Sequence, residues 1–425
     1  MTRTLTRRHF VLSAATAAVS APLLRAAPSE RVRVGVVGVG NQGAYNWGEL
    51  AKKTDADVVA ICDVDERMTA NARKQFPKAA FFTDFRKLID AKGLDAVLCA
   101  TPDHNHFPVT HRALDAGLHV YCEKPLAHTV WEARTMAELA ARKKLVTQMG
   151  TQIHAGDNYR RVVEMIKKGV IGPVKEVHVW VGGGAYNGNG KRPAPKPVPE
   201  GLDWDQWLGP AMERPYAPEY VPFNWRRYWA FGGGKMADMA CHHMDLPFWA
   251  LDLRYPTRVS AEGSPVTLET GADWIICTYE FPARGDRPPV TLTWYDGDKR
   301  PKYFADGKLP KWGDGTLFVG EKGMLLAGYG ERKLVPADDF TGIDGDKSIP
   351  KSIGHHREWI EAIKTGGPTT CNFDYSGALT EAVLLGVVSY RLGKPLEWDA
   401  KVLKAKGIPE ADALIKKEYR KGWEV

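Results

Sequence analysis

No stretch of the 425-residue chain is apolar for long enough to cross a bilayer as a helix. No block of one charge stands out either. The 58 lysines and arginines are scattered among 51 acids, and the net charge of +7 is too modest and too dispersed for a nucleic-acid surface. Cysteine is scarce. Cys62, Cys99, Cys122, Cys241, Cys277 and Cys371 form no CxxC and no zinc-ribbon spacing, so neither a disulfide framework nor a structural metal is expected. The first three lie in or beside apolar runs, where cysteine serves as a small hydrophobe. With 44% hydrophobic and 26% charged residues the chain is neither disordered nor fibrous, and its length supports two globular domains with cores of their own.

What is present begins with "RVRVGVVGVGNQGA" (31–44), an apolar run that ends in Gly38-x-Gly40-x-x-Gly43 and opens a helical stretch. In such a strand-turn-helix the first glycine makes the turn, the second lets the backbone approach a pyrophosphate, and the third permits close helix packing. Phosphate then sits on the helix N-terminus, so Gly38, Gly40, Asn41, Gln42 and Gly43 are expected at a dinucleotide. A second apolar run (57–62) ends at Asp63, twenty residues after Gly43. A carboxylate there accepts from a ribose 2′-hydroxyl and repels a 2′-phosphate, which favours NAD over NADP. Further strand-like runs at 95–101, 119–124 and 145–151 alternate with amphipathic stretches at 108–117 and 129–143. That alternation predicts an α/β fold, a doubly wound parallel Rossmann sheet over 31–151. Strand C-termini point at the cofactor crevice, so Thr101, Pro102, His106, Glu123 and Lys124 should surround the nicotinamide.

From residue 152 the pattern changes. After a helical stretch (156–168), β-rich runs at 174–183, 273–281, 289–297 and 315–328 predict a mostly antiparallel sheet, with helices at 354–366 and 376–393 closing a second α/β domain over 152–425. "GGGKMADMACHHMDLPFW" (232–249) reads as a glycine hinge followed by one apolar helix, on which Asp238 and His242 share a face at i and i+4. The glycines are expected to let that face approach the nicotinamide. His242 and His243 point about 100° apart and do not readily bind one ion, so no metal is expected there. The preceding loop is rich in aromatics: Trp204, Trp207, Tyr216, Tyr220, Phe223, Trp225, Tyr228, Trp229 and Phe231. Their faces suit the C–H surfaces of sugar rings, with about half of them expected to do no more than hold the loop down. Arg226 and Arg227 could donate to hydroxyls or a carboxylate, and Tyr186, Asn187, Asp296, His355 and His356 are further candidates for the pocket.

Glu123-Lys124-Pro125 after the fifth strand, together with the glycine fingerprint and the later Asp-x-x-x-His, resembles the glucose-fructose oxidoreductase and inositol dehydrogenase family, written Gfo/Idh/MocA. The resemblance runs from about residue 31 to the end. It implies a catalytic set of Lys124, Asp238 and His242, an open-faced second sheet used for homo-oligomerisation as a dimer or tetramer, and a carbohydrate substrate. In hydride transfer at a carbinol carbon one group takes the hydroxyl proton. His242 is expected in that role, with Lys124 stabilising charge on the oxygen and Asp238 orienting its neighbours. Asp245 is read as structural.

The first 28 residues, with Thr6-Arg7-Arg8-His9-Phe10-Val11-Leu12 ahead of an Ala-rich stretch, resemble a twin-arginine export signal. This implies engagement of the twin-arginine translocase, a periplasmic location and NAD carried across inside the folded protein, without stable membrane insertion. The sequence therefore reads as an exported oxidoreductase with tightly retained NAD. Redox-neutral glycoside cleavage through a transient keto-sugar is the alternative, although enzymes of that kind differ around the Asp-x-x-x-His pattern. A non-catalytic sugar-binding protein is opposed by the intact Lys124, Asp238 and His242.

Overall fold

The computed structural model describes residues 31–183, 186, 190–305, 307 and 309–424. The stretch expected to be an export signal therefore lies outside the described residues, as does Asn187. The first sheet contains β1 (Val32–Val37), β2 (Ala56–Cys62), β3 (Ala80–Phe82), β4 (Ala96–Cys99), β5 (His119–Cys122) and β6 (Thr147–Met149). They run parallel in the order β3-β2-β1-β4-β5-β6. The connections carry α1 (Gln42–Lys53), α2 (Ala70–Gln75), α3 (Phe85–Asp90), α4 (Asp103–Asp115) and α5 (Val130–Lys143). Every residue of β4 is buried, as helix cover on both faces demands. The strand order reverses between β1 and β4, which opens a crevice at their C-terminal ends.

The second sheet has nine strands: β7 (Val174–Val181), β8 (Arg258–Gly263), β9 (Ile275–Phe281), β10 (Val290–Tyr295), β11 (Asp314–Gly320), β12 (Met324–Ala327), β13 (Arg332–Val335), β14 (Leu396–Asp399) and β15 (Lys404–Ala405). Its order is β13-β12-β11-β7-β10-β9-β8-β14-β15, antiparallel except where β7 meets β10. Along β9, Ile275, Cys277, Tyr279 and Phe281 are buried while the residues between them are not, so one face meets the core and the other is left open. The helices of this part of the chain are α6 (Asp157–Lys167), α7 (Trp204–Leu208), α8 (Gly234–His243), α9 (Asp245–Leu251), α10 (His355–Thr365), α11 (Phe373–Leu392) and α12 (Asp412–Ile415), of which α8 meets β7 and α9 meets β11. Of these, α11 lies on β8 and β9 and also on α5, while α10 returns to α1 and β1. The helix α11 thus stitches the second sheet to the first domain, and α10 adds a second contact of the later chain with that domain.

Two elements differ from the sequence reading. The helix expected from 108 begins at Asp103 and takes Pro108 inside it. The stretch 232–249 is two helices, broken at Met244. Pro247 explains the break, because a proline ring clashes with the carbonyl four residues earlier. That carbonyl, on His243, accepts instead from Thr316 Oγ1 at 3.4 Å.

Candidate active site

The glycine turn is built as its spacing requires. Gly38 has φ +84°, and a Cβ there would stand 2.5 Å from the Ala100 carbonyl oxygen. Gly43 abuts the Gly38 carbonyl with no room for a side chain, and a Cβ on Gly40 would meet Met68 Cε at 2.7 Å. Asp63, at the end of β2, accepts from Val39 N at 2.9 Å and from Asp65 N at 3.0 Å. Burial raises its carboxyl to about 6, against the pull of the Val39 N–H. One cleft is lined by Gly38, Gly40, Asn41, Gln42, Asp63, Thr101, Pro102, His106, Glu123 and Lys124. Gly43 lies beneath Gly38 and not in that lining, which suits its packing role. A dinucleotide fits this shape: bare turn, helix N-terminus and a carboxylate at the second strand.

At the far end the cleft reaches Lys124, Asp238 and Arg226. Lys124 Nζ donates to the Asp238 carboxylate and to its main-chain oxygen, the latter at 3.1 Å. Arg226 Nε stands 2.9 Å from the same carboxylate oxygen. Burial alone would raise the Asp238 carboxyl, but Lys124 and then Arg226 outweigh it and hold the group well below the usual carboxylate range. Tyr186 faces this carboxylate as well, and burial followed by the Asp238 charge raises its hydroxyl to about 12. His242 is partly buried one turn beyond Asp238. Burial, then the Lys124 charge, holds its imidazole well below its ordinary value, so it is neutral near pH 7 and not poised at 6.5. Behind Pro102, Asp103 is buried with Oδ1 unpartnered, and burial raises its carboxyl to about 7 although Arg226 and Lys124 oppose the shift. Nothing in the sequence singled out Asp103. Its place directly after Thr101-Pro102 at a strand end was the available signal.

Residues 32–151 match the Gfo/Idh/MocA model described as an oxidoreductase family, NAD-binding Rossmann fold, and 157–307 match the C-terminal alpha/beta domain of the same oxidoreductase family. The chain belongs to the Gfo/Idh/MocA oxidoreductases. Inositol 2-dehydrogenase of Corynebacterium glutamicum (strain R) is 34% identical over 146 residues, which is 34% of this chain and 43% of that protein. Glycosyl hydrolase family 109 protein 1 of Shewanella sp. (strain ANA-3) is 29% identical over 152 residues, 34% of this chain and 33% of that one. The chain thus spans well under half the length of these curated relatives. A levoglucosan dehydrogenase solved with NADH and levoglucosan shares the fold, with TM-score 0.63 at 16% identity over 86% of this chain and 99% of that one.

This Gfo/Idh/MocA chain departs from the sequence reading at several candidate residues. Asp296 is buried in the sheet, accepting from Ile275 N at 2.6 Å and Trp294 Nε1 at 3.0 Å. His355 contacts the Met149 carbonyl, and His356 stacks on Tyr121 and bonds Asn46 Oδ1 at 2.8 Å. Both belong to the α10 contact with the first domain and not to the pocket. His243 stacks on Tyr329 and bonds its hydroxyl at 3.0 Å. Asp245, by contrast, is structural as the sequence reading had it, accepting from the Tyr375 hydroxyl at 2.7 Å and pairing with His154 at 2.9 Å. The hinge glycines make room for protein and not for cofactor: a Cβ on Gly232 would stand 2.9 Å from Arg226 Cα, and one on Gly233 would stand 2.5 Å from Ala237 Cβ. Of the loop aromatics, Trp207, Phe223 and Trp225 line the cleft, while Tyr216, Tyr220, Tyr228 and Phe231 close a satellite core. Among the described residues, Cys99, His106 and Cys122 have metal-ligand spacing, but both His106 nitrogens already face carbonyl oxygens, of Pro125 at 2.7 Å and Thr101 at 2.8 Å.

A strap missed by the sequence reading crosses the Asp63 end of the cleft. Leu202 forms an antiparallel bridge with Asp65, flanked by Glu66 N to the Gly201 carbonyl and Asp203 N to the Val64 carbonyl, both at 2.8 Å. Arg86 Nη2 donates to Gln206 Oε1 at 3.0 Å, Asn105 Nδ2 to the Trp207 carbonyl at 2.8 Å, and Arg420 Nη2 to the Asp205 carbonyl at 2.9 Å.

Proposed function

We propose that this protein is an exported, NAD-linked oxidoreductase acting on a CH–OH group of a sugar, polyol or glycoside, with Lys124, Asp238 and His242 as its catalytic residues. The observation that carries the reading is the Lys124–Asp238 pair, which joins the two domains at the end of the dinucleotide cleft. The turn at Gly38–Gly43 and Asp63 would hold NAD, which when bound supplies the hydride acceptor. Lys124 can donate to the reacting oxygen and stabilise charge there. Asp238 stays ionised beside it and fixes the ammonium. The neutral His242 imidazole takes the hydroxyl proton and returns it in the reverse direction. Asp63 favours NAD over NADP, because a 2′-phosphate would meet its carboxylate.

The strap across the adenosine end supports retention of NAD through successive turnovers, which a periplasmic enzyme needs where free NAD is scarce. Association through the open sheet face is part of the same reading. The test is direct. Protein purified without added nucleotide is expected to release NAD or NADH on denaturation, seen by mass spectrometry, and to reduce its bound NAD with sugars or glycosides. Protein free of nucleotide that turns over only with added NAD refutes retention. The likeness to a glycosyl hydrolase family 109 protein favours one second reading, redox-neutral glycoside cleavage. Nitrophenol released from a nitrophenyl glycoside without net NADH would select it.

A further inference from the structure

Aromatic residues of the 204–231 loop are nearly all turned inward, with Tyr220 1%, Trp225 5% and Tyr228 7% exposed. Phe223 is the departure, at 55% exposure, and it stands in the wall of the cleft beside Val221 and Pro222. A large ring left in water on a cleft wall gives up most of what its burial would contribute, so the site is one that a ligand can complete. Its position relative to the chemistry is fixed through Arg226. The guanidinium carbon lies 4.1 Å from the Trp225 ring centroid and 5.8 Å from that of Phe223, while Nε of the same side chain lies 2.9 Å from Asp238. The Arg226 side chain thus borders both the Phe223 ring and the Asp238 carboxylate, so a substrate whose reacting unit sits at the Lys124–Asp238 pair can extend past Arg226 onto Phe223. Arg226 shares the one Asp238 carboxylate with Lys124, so the ring of Phe223, and not the charge, is what this outer wall offers to recognition.

We propose that Phe223 is the platform of an outer subsite that takes a second ring, and hence that the substrate is a glycoside with a ring-bearing aglycone and not a free monosaccharide or polyol. This rests on the carbohydrate reading above and narrows it. The shared chemistry is a flat, C–H-rich or aryl face laid on the Phe223 ring. A sugar unit and an aryl group both present such a face, and the probes below separate them.

The experiment uses the full chain, loaded with NADH, and measures binding by isothermal titration. The probes are the free sugars and the methyl, phenyl and glucosyl glycosides of glucose and galactose. Wild type is expected to bind a phenyl or glucosyl glycoside about ten-fold more tightly than the matching methyl glycoside. Phe223→Ala should bring the ratio to about two or below, and Phe223→Trp should keep it. Because Phe223 is exposed, its truncation leaves the core intact, and an unchanged melting temperature checks this. A preference for the glucosyl compound assigns the subsite to a sugar, and for the phenyl compound to an aryl aglycone. An equal ratio in wild type and Phe223→Ala, no ring preference in wild type, or no binding of any ring-bearing probe overturns the proposal. Reduction of bound NAD, followed separately, reports on the redox reading: binding with ring preference but without reduction keeps the subsite and removes the dehydrogenase.

Discussion

Lys124 and Asp238 come from opposite domains, and their contact decides what each can do. An ammonium held by a permanently ionised carboxylate is an oriented donor, and its loss should cost rate more than binding. Lys124→Met is expected to lower kcat/KM by about two to four orders of magnitude while NAD content per protein stays unchanged. A fall of less than ten-fold would remove Lys124 from the chemistry. Asp103 governs a different prediction. Its folded carboxyl is raised to about 7 from an ordinary 3.8, so between these values the folded protein holds a proton that the unfolded chain releases. Its contribution to stability is therefore complete below pH 3.8 and lost as pH rises through about 7. Asp103→Asn should flatten the decline in melting temperature between about pH 4 and pH 7, and should also remove any limb near pH 7 from the rate profile. A limb that survives the substitution belongs to another group.

Among elements, the strap over 201–207 has the largest functional reach for the fewest residues. Arg86→Ala combined with Arg420→Ala removes two of its anchors and should speed loss of bound NAD on dialysis about ten-fold, with the far-ultraviolet spectrum unchanged. Unchanged dissociation would show that the backbone bridge at Leu202 suffices. This strap also marks the limit of what could be read in advance. The glycine turn, Asp63, the strand ends at Thr101 and Glu123-Lys124, and the shared face of Asp238 and His242 were legible because each depends on local spacing. The strap, Asp103 and the Arg226–Asp238 pair depend on which distant segments meet, and local spacing carries no record of that. His355, His356 and Asp296 were misassigned for the same reason: a polar side chain bonded inside an interdomain contact, as the two histidines are, or within the second sheet, as Asp296 is, has the same sequence signature as one facing a ligand. The break at Met244 was readable in principle, from Pro247, but the apolar spacing on either side concealed it.

For the whole molecule, the packing of α11 on β6 of the first sheet and on β8 and β9 of the second means that cofactor and fold should stand or fall together. Removing bound NAD is expected to lower the melting temperature, and each hundred-fold excess of ligand over Kd corresponds to about 2.7 kcal/mol of stabilisation. Differential scanning with and without added NAD checks this. At the same scale, replacing Arg7 and Arg8 with lysine should leave the protein in the cytoplasm with NAD bound, as fractionation and nucleotide analysis would reveal. Delivery to the periplasm in that variant would remove the twin-arginine route. The order of events in the cell follows from one bond. His356 reaches Asn46 Oδ1, whose amide in turn donates to Glu123 at 2.9 Å in the cleft wall. The nucleotide pocket is thus finished only when residue 356 has left the ribosome, after more than four fifths of the polypeptide is made. A cofactor can therefore complete this pocket only late in synthesis, and if the chain is exported as proposed, a translocase that accepts only completed cargo would meet the pocket already formed.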